Sequence, residues 1–146
     1  VAEVFEKDTI GNGAIWHGYT YSAHPVGAAA VSACLSETLR LDTKTNAAAR
    51  GTQLFDGLIG LKEKYDIIGD VRGGHGLMTA IEFVSDRTAK TPLDADTVKK
   101  IHKKVYEAGA MVRPAPPNIM MSPPLIITED EVQIMIDAFD AAIGSV

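Results

Sequence analysis

The spacing of apolar residues along the chain changes several times. Val26, Ala29, Ala30, Ala33 and Ser36 recur at three- and four-residue intervals, which predicts an alanine-rich helix from about Pro25 toward Leu41. Leu54, Leu58 and Leu61 place a stripe on a second helix, Ala47 to Tyr65. The run Leu77-Met78-Thr79-Ala80-Ile81-Glu82-Phe83-Val84 then predicts a strand ending at Ser85. Helical periodicity returns over residues 94–108, with Gly109 as the stop. Ala110 to Arg113 and Ile119 to Met121 read as short strands flanking a turn marked by Pro114, Pro116 and Pro117. Thr128 opens a final helix, since Glu131 three residues on completes a capping box.

The first part of the chain is less regular. Residues 2–7 read as the end of a helix, Gly11-Asn12-Gly13 as a turn, and Ile15 to Ser22 as an aromatic-rich extended segment or loop. A start inside a helix, with neither methionine nor cap before it, is expected of a fragment or a processed chain. Strands alternating with helices from the middle of the chain onward predict a small α/β unit. Residues 1–45 read as the edge of a larger domain, 46–66 as a connecting helical region, and 67–146 as the small domain.

Composition narrows the function. The net charge is -5, with lysine and arginine scattered and not striped, which argues against a nucleic-acid partner. No apolar run approaches the roughly 20 residues of a membrane span. Cys34 is the single cysteine, so no intrachain disulfide is possible; a reducing, cytoplasmic location is expected, with Cys34 as buried filler.

Isolated motifs are weak. Gly73, Gly74 and Gly76 precede a strand where a dinucleotide fingerprint would link a strand to a helix, so tight turns are their expected role. His17, His24 and His75 lack metal-ligand spacing and are expected as hydrogen-bonded structural histidines. Ser22 and His24 have no acidic orienter, and Ser122 stands in no nucleophile elbow. Arg113 is either half of a surface ion pair or, if it faces a cavity, a fork suited to a carboxylate.

Three segments taken together are more specific. Trp16-His17-Gly18-Tyr19-Thr20-Tyr21-Ser22-Ala23-His24-Pro25, then Val71-Arg72-Gly73-Gly74-His75-Gly76-Leu77-Met78 with Glu82 on the following strand, then Val112-Arg113-Pro114 with Ser122-Pro123-Pro124-Leu125-Ile126-Ile127-Thr128, resemble in order and spacing the signatures of class III pyridoxal-phosphate-dependent aminotransferases. The tail resembles the amine–pyruvate, or omega-transaminase, branch. The resemblance implies a fold type I enzyme with a large domain around a mostly parallel sheet and a small C-terminal α/β domain. It further implies a homodimer with active sites at the subunit boundary, and pyridoxal 5'-phosphate as cofactor. On this template Thr20 holds the cofactor phosphate of the neighbouring subunit, Tyr19 lines the substrate pocket, and Arg113 pairs with the substrate carboxylate.

The implied reaction moves an amino group from an amine or ω-amino acid to pyruvate. The Schiff-base lysine is expected upstream of Val1, because Lys7 lacks the context of the family's lysine; the chain by itself is then expected to be inactive and to need the upstream portion. Two departures stand out: Ala23 replaces the usual glycine, and Pro116-Pro117 stiffens the turn after Arg113, which is expected to restrict its swing. Met120 stands where ornithine-type relatives carry an arginine, which favours the pyruvate branch. A truncated non-catalytic partner subunit and a glutamate-semialdehyde aminomutase-like enzyme are the alternative readings.

Overall fold

A computed structural model describes residues 18–146, which divide into two compact units, one ending at Glu37 and the other running from Thr38 to Val146. The expected helix end at residues 2–7, the Gly11–Gly13 turn and His17 lie outside the described residues.

In the first unit two turns lead into helix α1 (Pro25–Arg40). The Ser22 amide donates to the Tyr19 carbonyl at 2.9 Å and the His24 amide to the Tyr21 carbonyl at 3.3 Å, so Gly18–Ser22 is folded back, the loop alternative of its expected form. His24 precedes Pro25, which takes the first helical position, where a missing N–H costs nothing. The His24 imidazole Nδ1 accepts from the Gly27 amide at 3.3 Å, the structural hydrogen bond expected of it. Ala23, just before, has φ 61°, inside the left-handed region where an L side chain crowds its own carbonyl. No residue of α1 is buried in the described chain, and Cys34 is exposed, contrary to its expected role as filler.

The second unit is built on a sheet with one apolar face. Strands β1 (Ile68–Arg72), β2 (Thr79–Asp86), β4 (Arg113–Ala115) and β5 (Asn118–Met121) run in the order β1-β2-β5-β4, and the short β3 (Thr91–Pro92) pairs with β2. Every pairing is antiparallel. Ile68, Val71, Ile81, Phe83, Ile119 and Met121 are buried. Their strand neighbours Arg72, Glu82 and Asn118 form a polar cluster, with the Arg72 guanidinium bonded to both others.

Helices α2 (Thr43–Lys64), α3 (Ala95–Glu107) and α4 (Glu129–Ile143) complete the core. Leu54, Leu58 and Leu61 of α2 are buried, as the stripe predicted, together with Val98, Ile101 and Val105 of α3 and Val132, Phe139 and Ile143 of α4. Thus α2 belongs to the same core as the sheet. It begins four residues earlier than expected, because left-handed Asp42 presents its carbonyl to the amides of Thr45 and Asn46. The Gly73–Gly76 loop provides the tight turns expected: all three of its glycines have positive φ, and a side chain on Gly51 of α2 would strike the Gly76 backbone. His75 is exposed and has no hydrogen bond among the described residues, so its expected structural role is not realised.

Strand β4 is Arg113–Ala115 and not Ala110 to Arg113. Pro114 is tolerated inside it because β4 is an edge strand, where one side of the backbone meets no neighbour. The last helix opens with the predicted capping box between Thr128 and Glu131. Its far end is locked to α2: Asp140 accepts from Lys64 Nζ at 2.7 Å and from Tyr65 Oη at 2.7 Å. No helix among the described residues is long and apolar enough to cross a membrane.

Two outcomes follow from these contacts. The hydrogen bonds from Lys64 and Tyr65 hold the Asp140 carboxyl below its ordinary range. Its contribution is therefore present above the unfolded value and lost as pH falls through the lower folded one. Asp140→Asn is expected to cost about 1 kcal/mol at pH 7, with the gap to the parent protein closing below about pH 4, as measured by urea denaturation at both pH values. Ala23→Gly is expected to steady the start of α1 by about 0.5 kcal/mol, the relieved left-handed strain outweighing the extra unfolded-chain entropy; hydrogen exchange of the α1 amides would report it, and faster exchange would refute it.

Candidate functional site

Tyr19 and Thr20 share one turn, and Arg113 lies in the other unit, so the site is described as two parts. The first part is a recess of about 420 Å³ lined by Gly18, Tyr19, Thr20, Tyr21 and Ser22. Thr20 and Tyr21 are the central residues of the turn closed by the Ser22–Tyr19 hydrogen bond. Consequently neither the amide nor the hydroxyl of Thr20 is engaged by a described residue. An adjacent N–H and O–H open to the same recess are suited to an oxyanion, which takes short charge-assisted bonds from such donors. Tyr19 stands beside them, 70% exposed, as a flat wall.

The second part surrounds Arg113. Its guanidinium makes no ion pair with any described residue, and Arg113 is exposed and lines a cavity. The cavity, about 900 Å³, is walled by apolar Met111, Met120, Pro123, Ile126, Ile134 and Met135 and by polar Ser122, Thr128 and Glu131. Arg113 and Met120 are cross-strand partners on β4 and β5, which aligns a guanidinium with a thioether along the ladder.

Several residues that sequence reasoning passed over position this second part. His102 on α3 donates its Nε2–H to the Val112 carbonyl at 3.0 Å, one residue before Arg113. Asn46 donates to the carbonyls of Leu125 and Ile127, each at 2.9 Å, and so ties down the segment that follows β5. Arg50 pairs with Glu129 at 2.7 Å, and Gln53 donates to the Glu129 carbonyl, which fixes the start of α4 against α2. These contacts span 79 residues or more in three cases, and nothing in the local sequence announces them. Hydrogen bonds from the Thr128 backbone amide and hydroxyl hold the Glu131 carboxyl below its ordinary range, so it is charged at neutral pH.

Comparison with known proteins gives this geometry its family. Residues 1–143 match the family described as aminotransferase class-III. Among curated relatives, the uncharacterized aminotransferase y4uB of Sinorhizobium fredii is 37% identical, over all of this chain and 32% of its own length. The mitochondrial alanine–glyoxylate aminotransferase 2 homolog 2 of Arabidopsis thaliana is 37% identical over 83% of this chain and 26% of its own. Among solved structures, an amine transaminase from an uncultivated Pseudomonas species, in its pyridoxal-phosphate-bound form, superposes with a TM-score of 0.83 at 43% identity, covering 90% of this chain and 30% of that one. An (S)-enantioselective omega-transaminase from Thermomicrobium roseum superposes at 0.80 with 33% identity, covering 98% of this chain and 32% of that one. The chain thus spans between about a quarter and a third of the length of these proteins. With the family's description matched along nearly its whole length and the transaminase fold reproduced, the chain belongs to the class III aminotransferases.

Proposed function

We propose that this chain is the C-terminal portion of a transaminase that moves an amino group from an amine or ω-amino acid to pyruvate, giving a carbonyl product and alanine. The observation that carries this reading is Arg113, which lines a largely apolar cavity and makes no ion pair with a described residue. Such a fork binds a carboxylate through two parallel hydrogen bonds, while the apolar wall takes the rest of the substrate. Pyridoxal 5'-phosphate, when bound, supplies the carbonyl that takes up the amino group and the ring that accepts electron density.

The donor set of the first part fits the phosphate of that cofactor. In this reading the Thr20 hydroxyl and amide donate to it across the subunit boundary of a homodimer, and Tyr19 closes the pocket beside the substrate. The lysine that anchors the cofactor and moves the proton is placed in the upstream portion. Support comes from the lysines of the second unit, none of which is buried. Lys62, Lys64, Lys99 and Lys103 face carboxylates, and Lys104 donates to Ser145. At Lys64 the hydrogen bond to Asp140 raises the amine's pKa, opposite to what a nucleophilic amine needs. A cytoplasmic setting belongs to the same proposal.

Borohydride reduction of the complete enzyme, followed by peptide mapping, tests the placement of the lysine. A reduced cofactor adduct is expected on a lysine outside residues 1–146; an adduct on Lys7 or on any lysine of the second unit overturns it. Arg113→Ala is expected to raise the KM for β-alanine about 10- to 100-fold, the loss of a charged hydrogen-bonded pair. The KM for a carboxylate-free amine such as 1-phenylethylamine is expected to stay within about threefold, since no carboxylate pair is lost there. A parallel rise for both amines would show that Arg113 does not read the carboxylate.

A further inference from the structure

The cavity that Arg113 enters carries a second fixed charge of opposite sign. Of the residues lining it, Arg113 is the one cation and Glu131 the one anion. Glu131 is held in place: its Oε2 accepts from the Thr128 amide at 2.8 Å and from the Thr128 hydroxyl at 2.9 Å. Its charge is therefore held beside Thr128, itself part of the lining, unless the capping box of α4 opens. The same lining includes Met111, Met120, Ile126 and Ile134, all large apolar side chains that are exposed on this unit.

A ligand with one carboxylate and an apolar body meets Arg113 and the apolar part of this wall. A ligand with two carboxylates satisfies Arg113 once; its second carboxylate has no cation to meet, loses hydration against methionine and isoleucine, and feels the repulsion of Glu131. We propose that Glu131 is a specificity-determining residue that turns dicarboxylates away from the Arg113 cavity and reserves it for monocarboxylates with an apolar body. The proposal rests on the reading that Arg113 takes the substrate carboxylate, and it adds the class of acid that is refused and the residue that refuses it.

The test uses two unreactive acids, butyrate and glutarate, as competitive inhibitors of the complete enzyme against β-alanine. Glu131→Gln removes the charge and keeps the cap, because glutamine serves equally at that position of the box. Glutarate inhibition is expected to tighten roughly three- to tenfold in the variant, the effect of removing one partly screened like charge across a cavity. Butyrate inhibition is expected to stay within about twofold, since it places no second charge near residue 131. Equal shifts for both acids, or an unchanged glutarate constant, overturn the proposal. A measurement on the unaltered enzyme guards against a variant that folds badly: raising the salt concentration screens Glu131, so the ratio of glutarate to butyrate affinity is expected to rise, and a flat ratio overturns the proposal. If neither acid competes with β-alanine, the carboxylate reading of Arg113 fails and the role of Glu131 falls with it; if butyrate competes and the ratio does not respond, that reading stands and only the role of Glu131 is lost.

Discussion

The second unit depends on covering a single apolar sheet face. Strands that alternate buried and polar residues bury half of what they carry, and a four-strand path with one bare apolar side has no stability in water. Here α2, α3 and α4 supply the cover, and the side chains that meet there, Phe83 and Ile81 from the sheet and Leu58, Ile101 and Phe139 from the helices, are fully buried. Everything that serves the cavity hangs on this layer. The Arg113 strand is an edge of the sheet, and the segment from Ser122 to Thr128 is the connection from sheet to cover.

Much of this is legible in the chain because the local and global demands agree. The stripe Leu54, Leu58, Leu61 and the capping box at Thr128 each specify a helix within a few residues, and both occur as read. Where reading by neighbours fails, the missing information is tertiary. Proline at 114 speaks against a strand, until the strand is known to lie at an edge. The segment Ile68–Arg72 is too short and too interrupted by Gly69 and Asp70 to declare itself, yet pairing with β2 makes it a strand, with an irregularity between Ile68 and Asp70 where the register shifts.

The site is legible in a different way. Thr20, Tyr19 and Arg113 were named through a resemblance, since a loop threonine and a lone arginine carry no chemistry by themselves. Thr20 has no described partner because its turn is closed by its neighbours' backbone, and Arg113 makes no ion pair with a described carboxylate. His102 and Asn46, which hold the backbone on either side of the Arg113 hairpin, have no signature in the sequence; an exposed-looking polar residue on a helix becomes a support only when a carbonyl arrives from far along the chain.

The capping box at the head of α4 has a consequence for how this protein can change. One carboxylate at Glu131 is shared between two tasks, closing the helix and charging the cavity wall. Around it, Met111, Met120, Ile126 and Ile134 are exposed and bear little of the core, so the shape of the rim is free to drift at small cost in stability. The charge of the rim is not so free. Most replacements at position 131 give up the helix cap together with the charge, which leaves glutamine as the narrow passage by which a lineage could change the charge of this rim without first loosening its fold.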